Sequence, residues 1–249
     1  MSFNPFATMV TNVEAKGEDT DSLGGNFGPI DTGVYDFTIK MAYAIVSKGG
    51  ANGVVVTLED DKKQSVTMTE YISSGTAKGC VNFYIDKNDG SKKLLPGYLK
   101  MDALALLATK LELGAQTWEE KLVPIYSKDA NGEVPTKVAV ATSMLGCKVK
   151  AGVLKINENK TKLNEATNKY DPINEAREIN EVSKVFHAET GKTIQEYREQ
   201  KDAAEFLGKW VEKYGNKTID KYKTIAGAPA AGAPGGGAAA AGKPTASLF

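Results

Sequence analysis

The side chains capable of chemistry in this sequence fall into two groups, and the first would support catalysis. His187 is the single histidine, and it opens "HAETGKT" (187–193), whose Gly-Lys-Thr resembles the end of a phosphate-binding loop. Such a loop needs a further glycine at position 186, where the backbone must bend tightly around the phosphates, and that position holds Phe186. A lone histidine has no second ligand at metal spacing. Cys80 and Cys147 lack any C-x-x-C arrangement, and no G-x-S-x-G elbow is present to expose a nucleophile. The acids Glu59, Asp60 and Asp61 fall in a turn, where water solvates them. These residues predict a protein that is not an enzyme, with no catalytic residues, no metal and no cofactor.

The second group would support binding. In "SVTMTEY" (65–71), Val66 and Met68 share one face, and Tyr71 lies with Ser65, Thr67 and Thr69 on the other. In "CVNFYID" (80–86), alternation places Val81, Phe83 and Ile85 toward a core and leaves Tyr84 beside Asn82 and Asp86. Tyr98 follows the Pro96-Gly97 break. Around these rings lie Lys78, Lys87, Lys92, Lys93 and Lys100, with Lys40 on an earlier strand. A ring left on a solvent face can stack a base, at about 1–3 kcal/mol per base, and ammonium groups can neutralise phosphates. Arginine is scarce, with only Arg177 and Arg198. Lysine acts as a point charge, which suits tracking a phosphate backbone better than reading base edges. The residues therefore predict contact with an unpaired nucleic-acid strand. The ordinary alternative is that the tyrosines are cross-strand partners and the lysines solvate a hairpin.

These residues are positioned by a run of strands. "VYDFTIKMAYAIV" alternates over unusual length, with Tyr35, Phe37, Ile39, Met41, Tyr43 and Ile45 on one face; this puts Tyr43 in the core, as it does Phe83 in its own strand. "SKGGANG" is a turn, "VVVTLED" a returning strand, and Asn88-Asp89-Gly90 the turn of a hairpin. "YLKMDALALLATKLEL" switches to helical spacing, with Met101, Leu104, Leu107 and Leu111 on one stripe. "KLVPIYS", "TKVAVAT" and "CKVKAGVLKI" are further strands. The pattern predicts a mainly β fold with added helices: a closed barrel over 34–160, of which the five-stranded oligonucleotide-binding (OB) type fits best and a sandwich is the alternative. From Asp171-Pro172 the spacing predicts a helical extension over 161–225, with capping boxes at "TIQE" and "DAAE". Its last helix carries Phe206, Leu207, Trp210, Val211 and Tyr214 on one stripe, to dock on the barrel or pair with a second copy.

The bulk properties set the context. The formal net charge is zero over 249 residues, but residues 1–33 carry five acids against one lysine, so an acidic, flexible arm is expected ahead of a mildly basic body. No apolar run reaches the length of a membrane span, no signal peptide is evident, and the cysteine usage fits a reducing compartment. Residues 226–249, "AGAPAAGAPGGGAAAAGKPTASLF", are expected to be a disordered Ala/Gly/Pro tail. Leu248 and Phe249 at its tip would serve as bait for a partner.

Several whole segments carry a resemblance: "GVYDFTIKMAYAIVSKGGANGVVVTLED", "SGTAKG", "LPGYLKMDALALLATK", "VPTKVAVATSMLGCKVKAGVLK" and "EVSKVFHAETGKT". Over roughly 27–215 they are similar to a family of bacteriophage single-stranded DNA-binding proteins. The resemblance implies an OB fold without enzymatic activity. It implies a protein that coats single-stranded DNA during phage replication, recombination and repair in the cytoplasm of the infected bacterial host. It also implies that replication or recombination proteins grasp the tail. One departure matters: the family's tails are strongly acidic, whereas this one holds Lys243 and no Asp or Glu, so it cannot compete electrostatically for the barrel. A scaffolding protein and a strand-annealing factor are the rival readings.

Overall fold

The computed structural model describes residues 28–127, 130–167 and 169–225. The first strand, β1 (Gly33–Val46), is as long as its alternation predicts, yet it does not keep one phase. Its register against β2 (Asn52–Glu59) slips between Ile39 and Met41. A bulge of this kind inserts one extra residue, so every later side chain changes face. Phe37 and Ile39 point inward, as does Ala42, while Met41, Tyr43 and Ile45 fall on the opposite side, each half-buried. Tyr43 is therefore not a core residue, contrary to the sequence expectation.

β2 buries Val54, Val56 and Leu58, and β3 (Ser65–Tyr71) buries Val66 and Met68, on the same inner face. After β3 comes a small hairpin, β4 (Phe83–Ile85) with β5 (Lys92–Leu94). The helix α1 (Pro96–Thr109) follows, with proline in its first turn where no backbone N–H is needed. Met101, Leu104, Ala105 and Leu107 fill the space beneath the sheet, whereas Leu111 lies beyond the helix and is exposed. Burial of a side chain of this size stabilises by about 1.5–3 kcal/mol. β6 (Trp118–Ser127) and β7 (Gly132–Ala141) form a second hairpin that touches the main sheet through Tyr43 opposite Val140.

β8 (Lys148–Asn164) and β9 (Lys169–His187) form the longest hairpin. Residues 161–187 are thus largely strand, and the expected helical extension over 161–225 is corrected accordingly. Asp171-Pro172 sits in β9 opposite Thr161 and Lys162 and starts no helix. The helices of this region are α2 (Ile194–Arg198) and α3 (Glu205–Tyr214), followed by a short strand β10 (Thr218–Asp220) that runs parallel to β8. α3 docks on β8 and β9: the Trp210 indole lies flat enough on Gly152 that a Cβ there would sit 2.7 Å from the ring. Its Nε1–H donates to Ser183 Oγ at 3.0 Å.

The fold is mainly β, with strands in the order β3–β2–β1–β8–β9, and β10 and β7 pairing along the edges of β8 and β1. The expected closed barrel is not found. β3 and β9 stand at the two ends of the path, and no ladder joins them among the described residues. The N-terminal turn of α1 occupies the seam instead. Lys100 donates to the Glu70 carboxylate of β3 and to the Val182 carbonyl of β9, the latter at 3.1 Å. A Cβ on Gly97 would lie 2.3 Å from the Tyr71 carbonyl, so only glycine admits this approach. The core also extends past residue 160, where the sequence expectation ended its β unit, because β9 supplies Val182 and Val185 to it. At the other end, the acidic arm expected over 1–33 lies outside the described residues as far as 27. Residues 28–33 are packed: Ile30 joins the core, and Thr32 Oγ1 accepts the Lys155 N–H at 2.8 Å.

Candidate nucleic-acid interface

The outer face of β1–β2–β3 is read directly from the register. One row crosses it from Tyr71 through Gly53 to Ile45, the next from Thr69 through Val55 to Tyr43, and the next from Thr67 through Thr57 to Met41. Tyr71 is 48% exposed, as its place on the polar side of "SVTMTEY" predicts. It leans toward β2 because Gly53 has no side chain: a Cβ there would lie 3.1 Å from Tyr71 Cδ1 and 3.1 Å from Ile45 Cγ1. The ring thus has protein on one side and water on the other.

The β1–β2 turn anchors the segment that leads into the small hairpin. Thr76 N–H donates to the Gly49 carbonyl at 2.9 Å, and Cys80 Sγ–H donates to the Gly50 carbonyl at 3.4 Å. The same approach leaves no space for a Cβ on Gly75, which would meet the Gly49 carbonyl at 2.5 Å. Val81 and Asn82 then receive the hairpin stem, through Ser74 N–H to the Val81 carbonyl at 2.7 Å and Leu95 N–H to the Asn82 carbonyl at 2.9 Å. The hairpin is therefore held at the end of the sheet where Tyr71 lies. Lys78, Tyr84, Lys87, Lys92 and Lys93 all belong to the segment that these backbone bonds hold, and Tyr71 is the sheet residue at the same end.

Within the hairpin, Tyr84 is 44% exposed and Ile85 is 63% exposed. Ile85, Phe83 and Val81 do not face a core as the alternation predicts; Phe83 and Val81 are half-buried. A two-stranded ribbon has no second layer to bury against, so its apolar side stays open to water. Lys92 Nζ sits 4.7 Å from the Phe83 ring centre, a cation–π contact that leaves the charge facing solvent. Lys93 pairs with Asp86 and, at 3.7 Å, with Asp89. Its hydrogen bond holds the Asp86 carboxyl below its ordinary pKa, helped by the Asn88 N–H. Among the described residues Lys78 and Lys87 are exposed and have no carboxylate within ion-pair distance, which leaves their charge available to an anion.

Besides Lys93, three of the expected site residues are engaged within the fold instead. Tyr98 is half-buried in the first turn of α1, and burial first, then Asp102 and Glu112, push its phenol up. Lys100 is the seam lysine described above. Lys40 sits at the bulge and pairs with Glu59 at 3.1 Å; this bond, with a second from Lys63, holds the Glu59 carboxyl below its ordinary pKa. It lies some five residues along the strand from the Tyr71 row, on the order of 15–20 Å. Leu248 and Phe249 lie outside the described residues. The residues missed from the sequence are Tyr43, Met41 and Ile45, whose outward position depends on a bulge that leaves no mark on the alternation.

Among the described residues no three His, Cys, Asp or Glu side chains converge as a metal site, and no helix is long and apolar enough to cross a membrane. The chain matches none of the known family models, and a comparison with curated proteins gave no match either.

Proposed function

We propose that this protein binds single-stranded DNA without enzymatic action, and that it coats such strands during phage replication, recombination and repair in the cytoplasm of the infected host. The observation that carries the reading is Tyr71, half-exposed over Gly53 on the outer face of β2 and β3, at the end of the sheet that holds Lys78 in a short turn and Tyr84 and Lys87 in the hairpin, both lysines exposed and without an ion pair among the described residues. Rings stack bases of any sequence, and dispersed lysines follow phosphates, so the surface suits a strand with little sequence preference. The strand order supports an OB-like reading of the sheet. β3–β2–β1–β8–β9, with a helix between the third strand and the next long one, is an arrangement that a partly open five-stranded barrel can adopt, and the face of strands two and three is where such barrels hold oligonucleotides. Tyr98, Lys100, Lys93 and Lys40 serve this surface by holding its parts in place rather than by free contact.

The tail has a separate role in this reading: Leu248 and Phe249 engage replication or recombination proteins and leave DNA affinity untouched. The test of the main function is titration of a fluorescent oligo-dT at two salt concentrations. Binding that weakens as salt rises supports the reading, and the slope falls when Lys78 and Lys87 are replaced by alanine. A complete lack of binding at low salt overturns it in favour of a scaffolding protein.

A further inference from the structure

We infer that Tyr43 is a second base-stacking position on the same surface, reached by a strand that crosses the sheet from β3 to β1. This rests on the reading of the outer face as a single-stranded DNA site. The bulge after Ile39 is what turns Tyr43 outward. Had the alternation continued, its ring would lie on the inner side with Val54, Val56 and Leu58; instead Ala42 stands opposite Val56, Ala44 opposite Val54 and Ile39 opposite Leu58. Tyr43 is thereby carried to the outer side of the sheet and left half-buried, less open than the exposed Tyr71 but still in part accessible to a ligand.

The spacing of the two rings gives the inference its content. Tyr71 and Tyr43 lie on strands two apart, about 9.6 Å, and on rows offset by two residues, about 6.7 Å. Their Cα atoms are then about 12 Å apart on the diagonal. A single strand stretched to roughly twice its duplex rise of about 3.4 Å places bases two nucleotides apart at that separation. Between the two rings Gly53 contributes no side chain, and Val55 stands directly between Thr69 and Tyr43 in the next row. The ligand is an unpaired strand of at least three nucleotides, lying across the β-strands rather than along them. A duplex could not present two unstacked bases at this spacing.

The test compares full-length protein carrying Tyr43→Leu, Tyr43→Phe or Tyr71→Ala, titrated with dT2 and with dT8. Tyr43→Leu keeps the apolar contact with the sheet and removes the aromatic face. It should weaken dT8 binding by about 5- to 100-fold and change dT2 binding little, since dT2 does not span both rings; Tyr43→Phe should restore dT8 binding. If wild-type protein binds dT8 and Tyr71→Ala weakens it while Tyr43→Leu does not, the second position is wrong and the DNA-binding reading stands. If wild-type protein binds neither oligonucleotide, the underlying reading has failed.

Discussion

Placing a single methyl group at Gly53 separates binding from folding. In Gly53→Ala the new Cβ would sit 3.1 Å from Tyr71 Cδ1, 3.1 Å from Ile45 Cγ1 and 3.2 Å from the Glu70 carbonyl. Ordinary carbon contacts lie near 3.5–4.0 Å, so a neighbour must give by about half an ångström. The Tyr71 ring is the one free to do so, because nearly half of it faces water. It should swing off the sheet and lose the flat seat that presents it to a base. The folded state gains from the change in the unfolded chain, since glycine within a strand costs about 0.5–1 kcal/mol relative to alanine. That gain offsets the residual crowding, and the melting temperature should move by only a few degrees. Affinity for oligo-dT should drop by about 1–2 kcal/mol, a tenfold order of effect, through the loss of one stacking contact. Thermal denaturation and fluorescence anisotropy on the same preparation supply both numbers. A well-folded Gly53→Ala protein with wild-type affinity would refute the placement of Tyr71 as a stacking platform.

Three further outcomes follow from the geometry. Trp210→Ala should cost about 3–5 kcal/mol in chemical denaturation, because the indole is 3% exposed, packs on Gly152 and donates to Ser183. The Glu196 carboxyl is lowered below its ordinary pKa: burial opposes the charge, but the N–H groups of Thr193, Phe206 and Glu205 outweigh it. A depressed folded pKa gives stability that is fully present above the unfolded value, near 4.3, and lost as pH falls through the folded one. The melting-temperature gap between wild type and Glu196→Gln should therefore be largest near neutral pH and shrink below about pH 4; a gap independent of pH would show that the charge is not what stabilises. Deleting residues 245–249 should leave oligo-dT affinity unchanged and reduce retention of host or phage replication proteins on the immobilised protein, and equal retention would remove the tail from the account.

Where a strand has one buried face, its sequence announces it. The segment of β3 and the hairpin at Asn88-Asp89-Gly90 lie where their alternation and turn residues place them, β2 lies on the apolar run that follows the first turn, and the capping box of Thr193 and Glu196 forms where its motif stands. β9 was hidden for a physical reason: its first half forms a projecting ribbon with β8, so residues such as Lys169, Asp171 and Glu178 are exposed on strand positions with no period to read. Pro172, which suits a helix start, is equally at home where the ribbon's register is irregular, between Asn159 and Thr161 on the opposing strand. The "DAAE" motif fails as a cap because α3 draws its N-terminal acceptor from Glu196 in α2 rather than from Asp202. Of the candidate site, Tyr71 and Tyr84 were legible as rings on a polar face. Tyr43 was not, since a single inserted residue at Lys40 reverses the phase without altering the pattern around it. The engagement of Lys100 across the seam depends on how α1 meets β3 and β9, contacts far apart in sequence.

The most direct test of the central claim is the affinity of the Tyr71→Ala, Tyr84→Ala double variant for poly-dT at fixed low salt, with circular dichroism run alongside. The account predicts an unchanged spectrum and an affinity reduced by about 2–4 kcal/mol relative to wild type. A double variant that folds normally and binds poly-dT as tightly as wild type would contradict it.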